Sequence, residues 1–367
     1  MIDPVKDVLQ VADQYYVRAT SSFADDRTRV LKYGNTFAVF NRFGDLEALG
    51  PVQFGIFYCD TRHLSRFTLR LNGREPMLLN STIREDNGFL SVDLSNVDNT
   101  VDGKVELARG TIHLFRCKFL DQDGCHEQIR VMNYGTETVE ASISVRFAAD
   151  FADIFEVRGT VRQHHGETLP ARMSRSEVVL GYRGLDNVER RTRLQFAPMP
   201  GLLTESQAQF DLTLKYKEAV LLNISVQCEQ GAARKTVASY ATAFQTLRER
   251  ARSGPLRECK ISTSSKRFNA CLARCEADLS MLIEGNPENN YPYAGVPWFS
   301  TVFGRDGIIT ALECLWLAPE IAKGVLSCLA ESQATEVNEE RDAEPGKILH
   351  EMRRGEMAAL HEVPFGK

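Results

Sequence analysis

Residues 291–317 read YPYAGVPWFSTVFGRDGIITALECLWL. The stretch opens as a loop rich in proline and aromatics, with Tyr291, Tyr293, Pro297, Trp298 and Phe299. Gly304 then leads into Arg305-Asp306, and Ile308, Ile309, Leu312, Leu315 and Trp316 follow at helical spacing. A charged pair just before an apolar helix, with exposed-looking aromatics upstream, is a costly arrangement unless something binds there.

Two readings fit these residues. In the plainer one, Asp306 is an N-cap paired with Arg305, and Trp298 and Phe299 belong to a core; for a loop of this composition taken alone, that is the commoner outcome. In the other, the loop holds a sugar. Apolar sugar faces stack on Trp and Tyr, and hydroxyls need the fixed bidentate partners that Arg and Asp supply.

The flanking segments are helical. Phe268, Cys271, Leu272, Cys275, Leu279, Leu282 and Ile283 trace an amphipathic stripe, with Ser264 or Ser265 as cap and Gly285 as stop. Pro319 opens another helix through about Gln333, with Ile321, Val325, Leu326, Cys328 and Leu329 available for packing. Helices over 267–284, 306–317 and 320–333 each carry a stripe sized for neighbours on two sides, which predicts a large uncovered apolar surface. Further on, Lys347, His350, Glu351, Arg353, Arg354 and Glu356 crowd into PGKILHEMRRGEMA. Read alone, so dense a charge run is a solvated face, but Gly346 and Gly355 favour a shaped loop over a continuous helix. Upstream, ASYATAFQTLRERARS stops at Gly254-Pro255 and reads as a linker helix.

From about 28 to 236 the pattern is that of short strands between turns. Val139, Ala141, Ile143, Val145 and Phe147 alternate with Glu140, Ser142, Ser144 and Arg146, one buried and one solvated face. Phe67, Leu69 and Leu71 alternate likewise, and Asn72-Gly73 reads as a type I′ hairpin turn. Many such strands imply a large antiparallel β-sandwich. Asp60 and Arg62, directly after the apolar run GIFYC, read as a structural ion pair. His164-His165 reads as a loop, and the arginine patch Glu189 to Arg193 as a solvated strand.

Composition bounds the rest. At 367 residues the chain has room for two domains, and a net charge of −5 gives no support for nucleic-acid or acidic-membrane partners. The N-terminus lacks a signal-peptide pattern, and no apolar run is long enough to span a membrane. The nine cysteines lack metal-type spacing. Cys271 and Cys275 read as reduced core thiols of a cytosolic protein.

Residues 296–312, VPWFSTVFGRDGIITAL, resemble the substrate-site loop of the amylo-α-1,6-glucosidase family, the glucosidase part of glycogen debranching enzymes. Residues 342–366, DAEPGKILHEMRRGEMAALHEVPFG, are similar to that family's next active-site segment. KYGNTFAVFNRFGD (Lys32 to Asp45), GIFYCDTRHLSRF (Gly55 to Phe67) and DFADIFEVRG (Asp150 to Gly159) resemble its N-terminal β-domain, so the likeness runs in order through nearly the whole chain. It implies a multi-domain α and β protein. An extension over 1–27 precedes an antiparallel β-sandwich over 28–236 and a linker helix over 237–260. The first helices of an incomplete (α/α)6 barrel then occupy 261–367.

The same resemblance implies a glycoside hydrolase cleaving α-1,6 branches of glycogen-like α-glucans with inversion. Its catalytic acid and base are expected beyond Lys367, so no catalytic residue is assigned in this chain, and the chain alone is expected to be inactive. The substrate-binding residues it implies are Trp298, Phe299, Arg305, Asp306, Lys347, His350, Glu351 and Arg353, with the loop Asp150 to Gly159 completing the rim. The expected partner is carbohydrate, with no cofactor, metal, nucleic acid or membrane, in the cytoplasm. The alternatives are a carbohydrate-binding or non-catalytic fragment, and a related glycosidase acting on a smaller α-glycoside.

Overall fold

In the computed structural model the described residues are 8–11, 14–17, 28–47, 53–101, 104–231, 238–250, 256, 261–285, 289–339 and 343–364. Most of the 1–27 extension, the end of the 237–260 segment, Asp342, Phe365 and Gly366 lie outside them.

Antiparallel strands dominate. An eight-stranded sheet runs, in spatial order, through Glu167–Met173, Glu177–Arg183, Glu189–Ala197, Ala219–Gln230, Gly124–Asn133, Ile112–Asp121, Leu90–Ser95 and Met77–Ile83. Facing it is a four-stranded sheet of Leu202–Leu203, Gln207–Leu214, Val139–Ala148 and Arg66–Leu71. Their inner faces meet in one core, where Leu69, Ile143, Val145, Phe147 and Phe210 share a cluster with Leu114, Ile129, Val131, Leu194 and Ile224. Alternation in Val139–Ala148 follows the reading: Ala141, Ile143, Val145 and Phe147 are buried, while Glu140 and Arg146 are exposed.

A second four-stranded sheet, Arg29–Tyr33, Thr36–Phe40, Gly55–Tyr58 and Thr61–Leu64, is covered on both sides. Ala38, Phe40, Ile56 and Leu64 point into the main core. The alternate residues Phe37, Val39 and Phe57 enter a separate cluster with Ile154, Phe155 and Met357. This accounts for TFAVF being apolar at nearly every position. Ile154 and Phe155 belong to α1, Ile154–Val157.

Helices α2 (Tyr240–Arg250), α3 (Lys266–Leu282), α4 (Gly304–Cys314), α5 (Pro319–Glu331) and α6 (Glu356–Ala359) follow. Ala243 and Leu247 of α2 bury themselves against Phe119, on the outer face of the eight-stranded sheet. Ser265 caps α3 by accepting from the Phe268 amide, and Pro319 occupies the first turn of α5. Ile321, Val325 and Leu329 of α5 pack with Ala311, Cys314, Tyr291 and Tyr293. Large side chains remain uncovered on these helices, Phe268, Leu312 and Leu326 among them, and Trp316 just beyond α4 is 71% exposed. Among the described residues no helix is long and apolar enough to cross a membrane.

Several expectations are corrected. Cys271 and Cys275 are exposed, because the face of α3 that carries them meets no packing partner among the described residues. The Asn72-Gly73 turn has the positive φ pair of a type I′ turn, 50° and 74°. It closes as a hairpin of a single bridge, the Leu71 and Arg74 amides donating to each other's carbonyls at 2.9 Å and 3.0 Å, and the pairing goes no further: Arg66–Leu71 pairs with Val139–Ala148, while Met77–Ile83 pairs within the larger sheet. In the Glu189 to Arg193 patch Arg190 and Arg193 are interior, while Glu189 and Arg191 are half-buried. Arg190 pairs with Asp186 at 2.7 Å, and Arg193 with Glu177 at 2.6 Å and Glu229 at 3.0 Å. Their strand lies third in an eight-strand order, and Arg190 and Arg193, three apart on it, point to opposite faces, each meeting an acid where it is buried.

The inter-sheet core also contains charge. Arg116 and Lys118 stand two apart on Ile112–Asp121 and so point to the same side. Glu127, directly opposite Lys118 in register, bridges them, Oε1 to Arg116 Nε at 2.6 Å and Oε2 to Lys118 Nζ at 2.5 Å. Asp45 holds Arg116 from the other side at 2.5 Å. Burial pushes the Glu127 carboxyl up, but Arg116 and Lys118 outweigh it and hold it below the usual glutamate range.

Glu127→Gln leaves two buried cations short of a partner and is expected to cost about 3–5 kcal/mol at neutral pH. Because the folded pKa of Glu127 is depressed, its contribution is present above the ordinary glutamate pKa and lost as pH falls through the lowered one. The stability gap between wild type and variant, from urea unfolding at stepped pH, should therefore narrow on acidification. A gap independent of pH would contradict the pairing.

Candidate functional site

The aromatic loop and the charge-rich loop are tied together by a short ladder. Val302 pairs with Met352 and Phe303 with Glu351, and the Gly304 amide donates to the His350 carbonyl at 3.2 Å. Thr301 Oγ1 donates to the Met352 carbonyl. Residues fifty apart in sequence thus become neighbours, with Arg305-Asp306 and His350 leaving the ladder at the same end. PGKILHEMRRGEMA is accordingly a shaped segment of turn, ladder and the short α6.

Asp306 is not the N-cap of α4. Phe303 occupies that position without a side-chain cap bond, and Asp306 stands in the first turn, where the helix dipole favours an anion. Arg305 Nε lies 3.7 Å from Asp306 Oδ2, with the side chains 75% and 39% exposed. An exposed pair of this kind contributes about 0–1 kcal/mol, so it does not hold the fold. Phe299 is 45% exposed and Trp298 half-buried. The Phe299, Phe303 and His350 rings run edge to face at 5.7 Å and 5.8 Å. Lys347 lies in a turn tied to the end of α5: its carbonyl accepts from the Ala334 amide at 2.9 Å, and Gln333 donates to the Gly346 carbonyl at 2.7 Å.

Tyr291 and Tyr293 contradict the exposed reading, since both are buried. Tyr291 Oη donates to the Phe303 carbonyl at 2.8 Å, and Tyr293 Oη to Asn35 of the sandwich at 3.0 Å. They brace the loop from behind.

Glu351 and Arg353 are buried as well. Arg353 Nη1 reaches Asp60 Oδ1 at 2.8 Å, Nη2 reaches the Trp298 carbonyl at 2.6 Å, and Glu351 pairs with the same guanidinium. Asp60 accepts a further bond from the Arg354 amide at 2.8 Å. The expected Asp60–Arg62 pair is therefore replaced by two others, Asp60–Arg353 and Arg62–Asp150. The reason is direction: Asp60 sits at a positive-φ turn and faces the 350s segment, while Arg62 turns back along the sandwich.

Two more carboxylates complete the junction. Glu356, buried, accepts from Tyr182 Oη at 3.0 Å, the Leu185 amide at 2.8 Å and Arg162 at 3.0 Å. Asp153 caps α1 in a reciprocal box with Glu156, and its second oxygen accepts from the Met357 amide at 3.1 Å. Burial pushes the Asp153 carboxyl up to about 6. The D-x-x-E spacing of Asp153 and Glu156 was visible in DFADIFEV; the distant partners of Asp60 and Glu356 carried no local signal.

The class defined here is an antiparallel sandwich clamped by buried charge to a helical segment that carries an open aromatic and charged face. The chain is similar in fold to a protein from the human microbiome assigned as a kojibiose phosphorylase, at 10% identity and a TM-score of 0.53 over 83% of this chain and 47% of that one. It thus spans about half the length of that relative. With lower scores it is similar to a protein assigned as an aldose 1-epimerase from Escherichia coli K12, at 10% identity and a TM-score of 0.31 over 55% of this chain and 99% of that one. The same holds for a galactose mutarotase-like protein from Lactobacillus casei ATCC 334, at 6% identity and a TM-score of 0.32 over 55% of this chain and 100% of that one. No curated protein matches the sequence. Residues 31–225 match the family model described as the N-terminal domain of (some) glycogen debranching enzymes, and the chain belongs to that glycoside-processing family.

Gly307, next to Asp306, tests how tightly the face is braced. Replacing a helical glycine by alanine ordinarily gains about 1 kcal/mol. Here the new methyl would lie 2.3 Å from Tyr291 Oη, which is fixed on the Phe303 carbonyl. Gly307→Ala is expected to reverse the sign and cost about 1–3 kcal/mol, seen as a lower urea midpoint. A raised midpoint would mean that Tyr291 is free to swing away.

Proposed function

We propose that this chain is the N-terminal portion of a glycoside hydrolase that cleaves α-1,6-glucosidic branches of glycogen-like α-glucans, and that its open face binds a glucosyl unit. One observation carries the reading: Arg305 and Asp306, 75% and 39% exposed, follow directly on the ladder residue Phe303, whose ring meets that of the exposed Phe299, while the supports of that ladder are buried. Fold stability does not require the pair. Membership of the debranching-enzyme family supports the substrate class.

In this reading Asp306 accepts hydroxyl hydrogens and Arg305 donates to sugar oxygens, while Trp298 and Phe299 supply the apolar platform. His350 and Lys347 contribute from the edge. Glu351 and Arg353 act from beneath, fixing the Trp298 carbonyl and the ladder. Residues 261–367 are read as the opening helices of the glucosidase domain. An inverting hydrolase needs an acid and a base roughly 6.5–9.5 Å apart across the bond. Neither role is assigned to a residue of this chain.

Binding of panose, a trisaccharide with one α-1,6 bond, tests the reading by titration calorimetry on the purified chain. A hydrogen bond to a charged group is worth about 1.5–3 kcal/mol, so Asp306→Asn should weaken binding by about ten- to a hundredfold with an unmoved melting temperature. A variant that melts early yet keeps full affinity would show Asp306 to be structural. Glucose release from panose by this chain would place an acid and a base within it.

A further inference from the structure

Arg158 lies next to the aromatic loop, on the sandwich side. Its guanidinium carbon is 5.7 Å from the ring centre of Phe155, 5.8 Å from Trp298 and 5.7 Å from Phe299. All three are within cation–π reach. The residue is exposed, and among the described residues its guanidinium makes no hydrogen bond and no ion pair. Neighbouring arginines of the junction differ: Arg62 faces Asp150, Arg162 faces Glu356 and Glu362, and Arg353 faces Asp60 and Glu351.

The backbone beneath Arg158 is fixed from two directions. Arg158 is the C-cap of α1, and its amide donates to the Ile154 carbonyl at 3.1 Å. The Asp153–Glu156 box locks the other end of that turn, and Asp153 also holds the Met357 amide. The side chain is therefore presented at a set place against the 290s loop. An exposed cation–π stack contributes less than the rotamer freedom that ordering an arginine costs, so the stack is weak as a stability device. What it leaves is a planar fork of N–H donors that no carboxylate neutralises, beside the two rings of the open face.

We propose that Arg158 is a saccharide-binding residue of this face, donating paired hydrogen bonds to vicinal oxygens of the sugar that rests on Trp298 and Phe299. The Asp150 to Gly159 loop, expected at the rim, then has one named donor that reaches the sugar. The inference rests on the sugar-binding reading of the face, and the test separates the two.

Panose binding is measured by calorimetry, with melting temperatures, for wild type, Arg158→Met, Arg158→Lys and Asp306→Asn. Methionine keeps an unbranched stem against the rings and removes every donor. Arg158→Met is expected to weaken affinity about tenfold or more at an unchanged melting temperature. Arg158→Lys should recover only part of it, since an ammonium cannot lie flat and offer two parallel donors. Wild-type affinity in Arg158→Met together with loss in Asp306→Asn overturns the role of Arg158 and leaves the sugar reading standing. Affinity and melting temperature falling together in both Arg158 variants assigns the residue to packing and also overturns the proposal. Absence of panose binding by the wild type removes the sugar reading, and this inference with it.

Discussion

Everything about the open face follows from the burial of Arg353. A guanidinium inside a protein cannot lose its charge, so it must find acceptors or the segment carrying it must stay outside. Arg353 finds three: Asp60 from the sandwich, Glu351 from its own segment, and the carbonyl of Trp298 from the aromatic loop. One side chain thereby fixes three pieces of chain relative to one another. Asp153 and Glu356 repeat the device a few residues on, each acid satisfied across the same boundary. Rotation of the 350s segment against the sandwich would strand several buried charges at once, which makes the junction a rigid base for the exposed residues in front of it.

The same economy of buried charge runs through the sandwich. The eight-stranded sheet is covered by the smaller sheet on one side and by α2 on part of the other, so polar residues in the covered parts of its inner strands have no path to water, while Arg130 outside that cover is exposed. Arg116, Lys118, Arg190 and Arg193 are each met by an acid. Such pairs add little net stability over apolar residues of the same size. They do penalise every strand register that separates the partners, because a one-residue slip turns each of these side chains to the opposite face.

How much of this the sequence reveals depends on the range of each interaction. Strands with one wet face were legible, as in Val139–Ala148, because the alternation is local. So were the cap at Ser265, the start of α5 at Pro319 and the turn at Asn72-Gly73. Pairing partners were not: nothing near Asn72 says that the next strand joins another sheet. The charged patches misled for the same reason, since a run such as Glu189 to Arg193 looks alike on a wet strand and on a covered one with acids opposite. At the candidate site, Trp298, Phe299, Arg305, Asp306 and His350 were named from composition and resemblance, and Phe299, His350 and the start of α4 gather at the ladder of Val302 and Phe303 with Glu351 and Met352. Glu351 and Arg353 were named too, but they are buried, and their place depends on Asp60. Arg158 was missed. A lone arginine after a capping-box helix has no periodic or spacing signal, and only the folded chain sets it against three rings.

The Asp60–Arg353 bond joins positions 293 apart in the sequence. A chain made from its N-terminus can complete the strands of the sandwich by Gln230, long before residue 353 exists. Until then Asp60, Asp153, Tyr182 and Arg162 face solvent on a finished surface, waiting for the segment that will cover them. The order of synthesis therefore builds the template first and the open face last. Closing so long a loop is also the slow kind of contact, whose entropy must be lost before any of its bonds is gained.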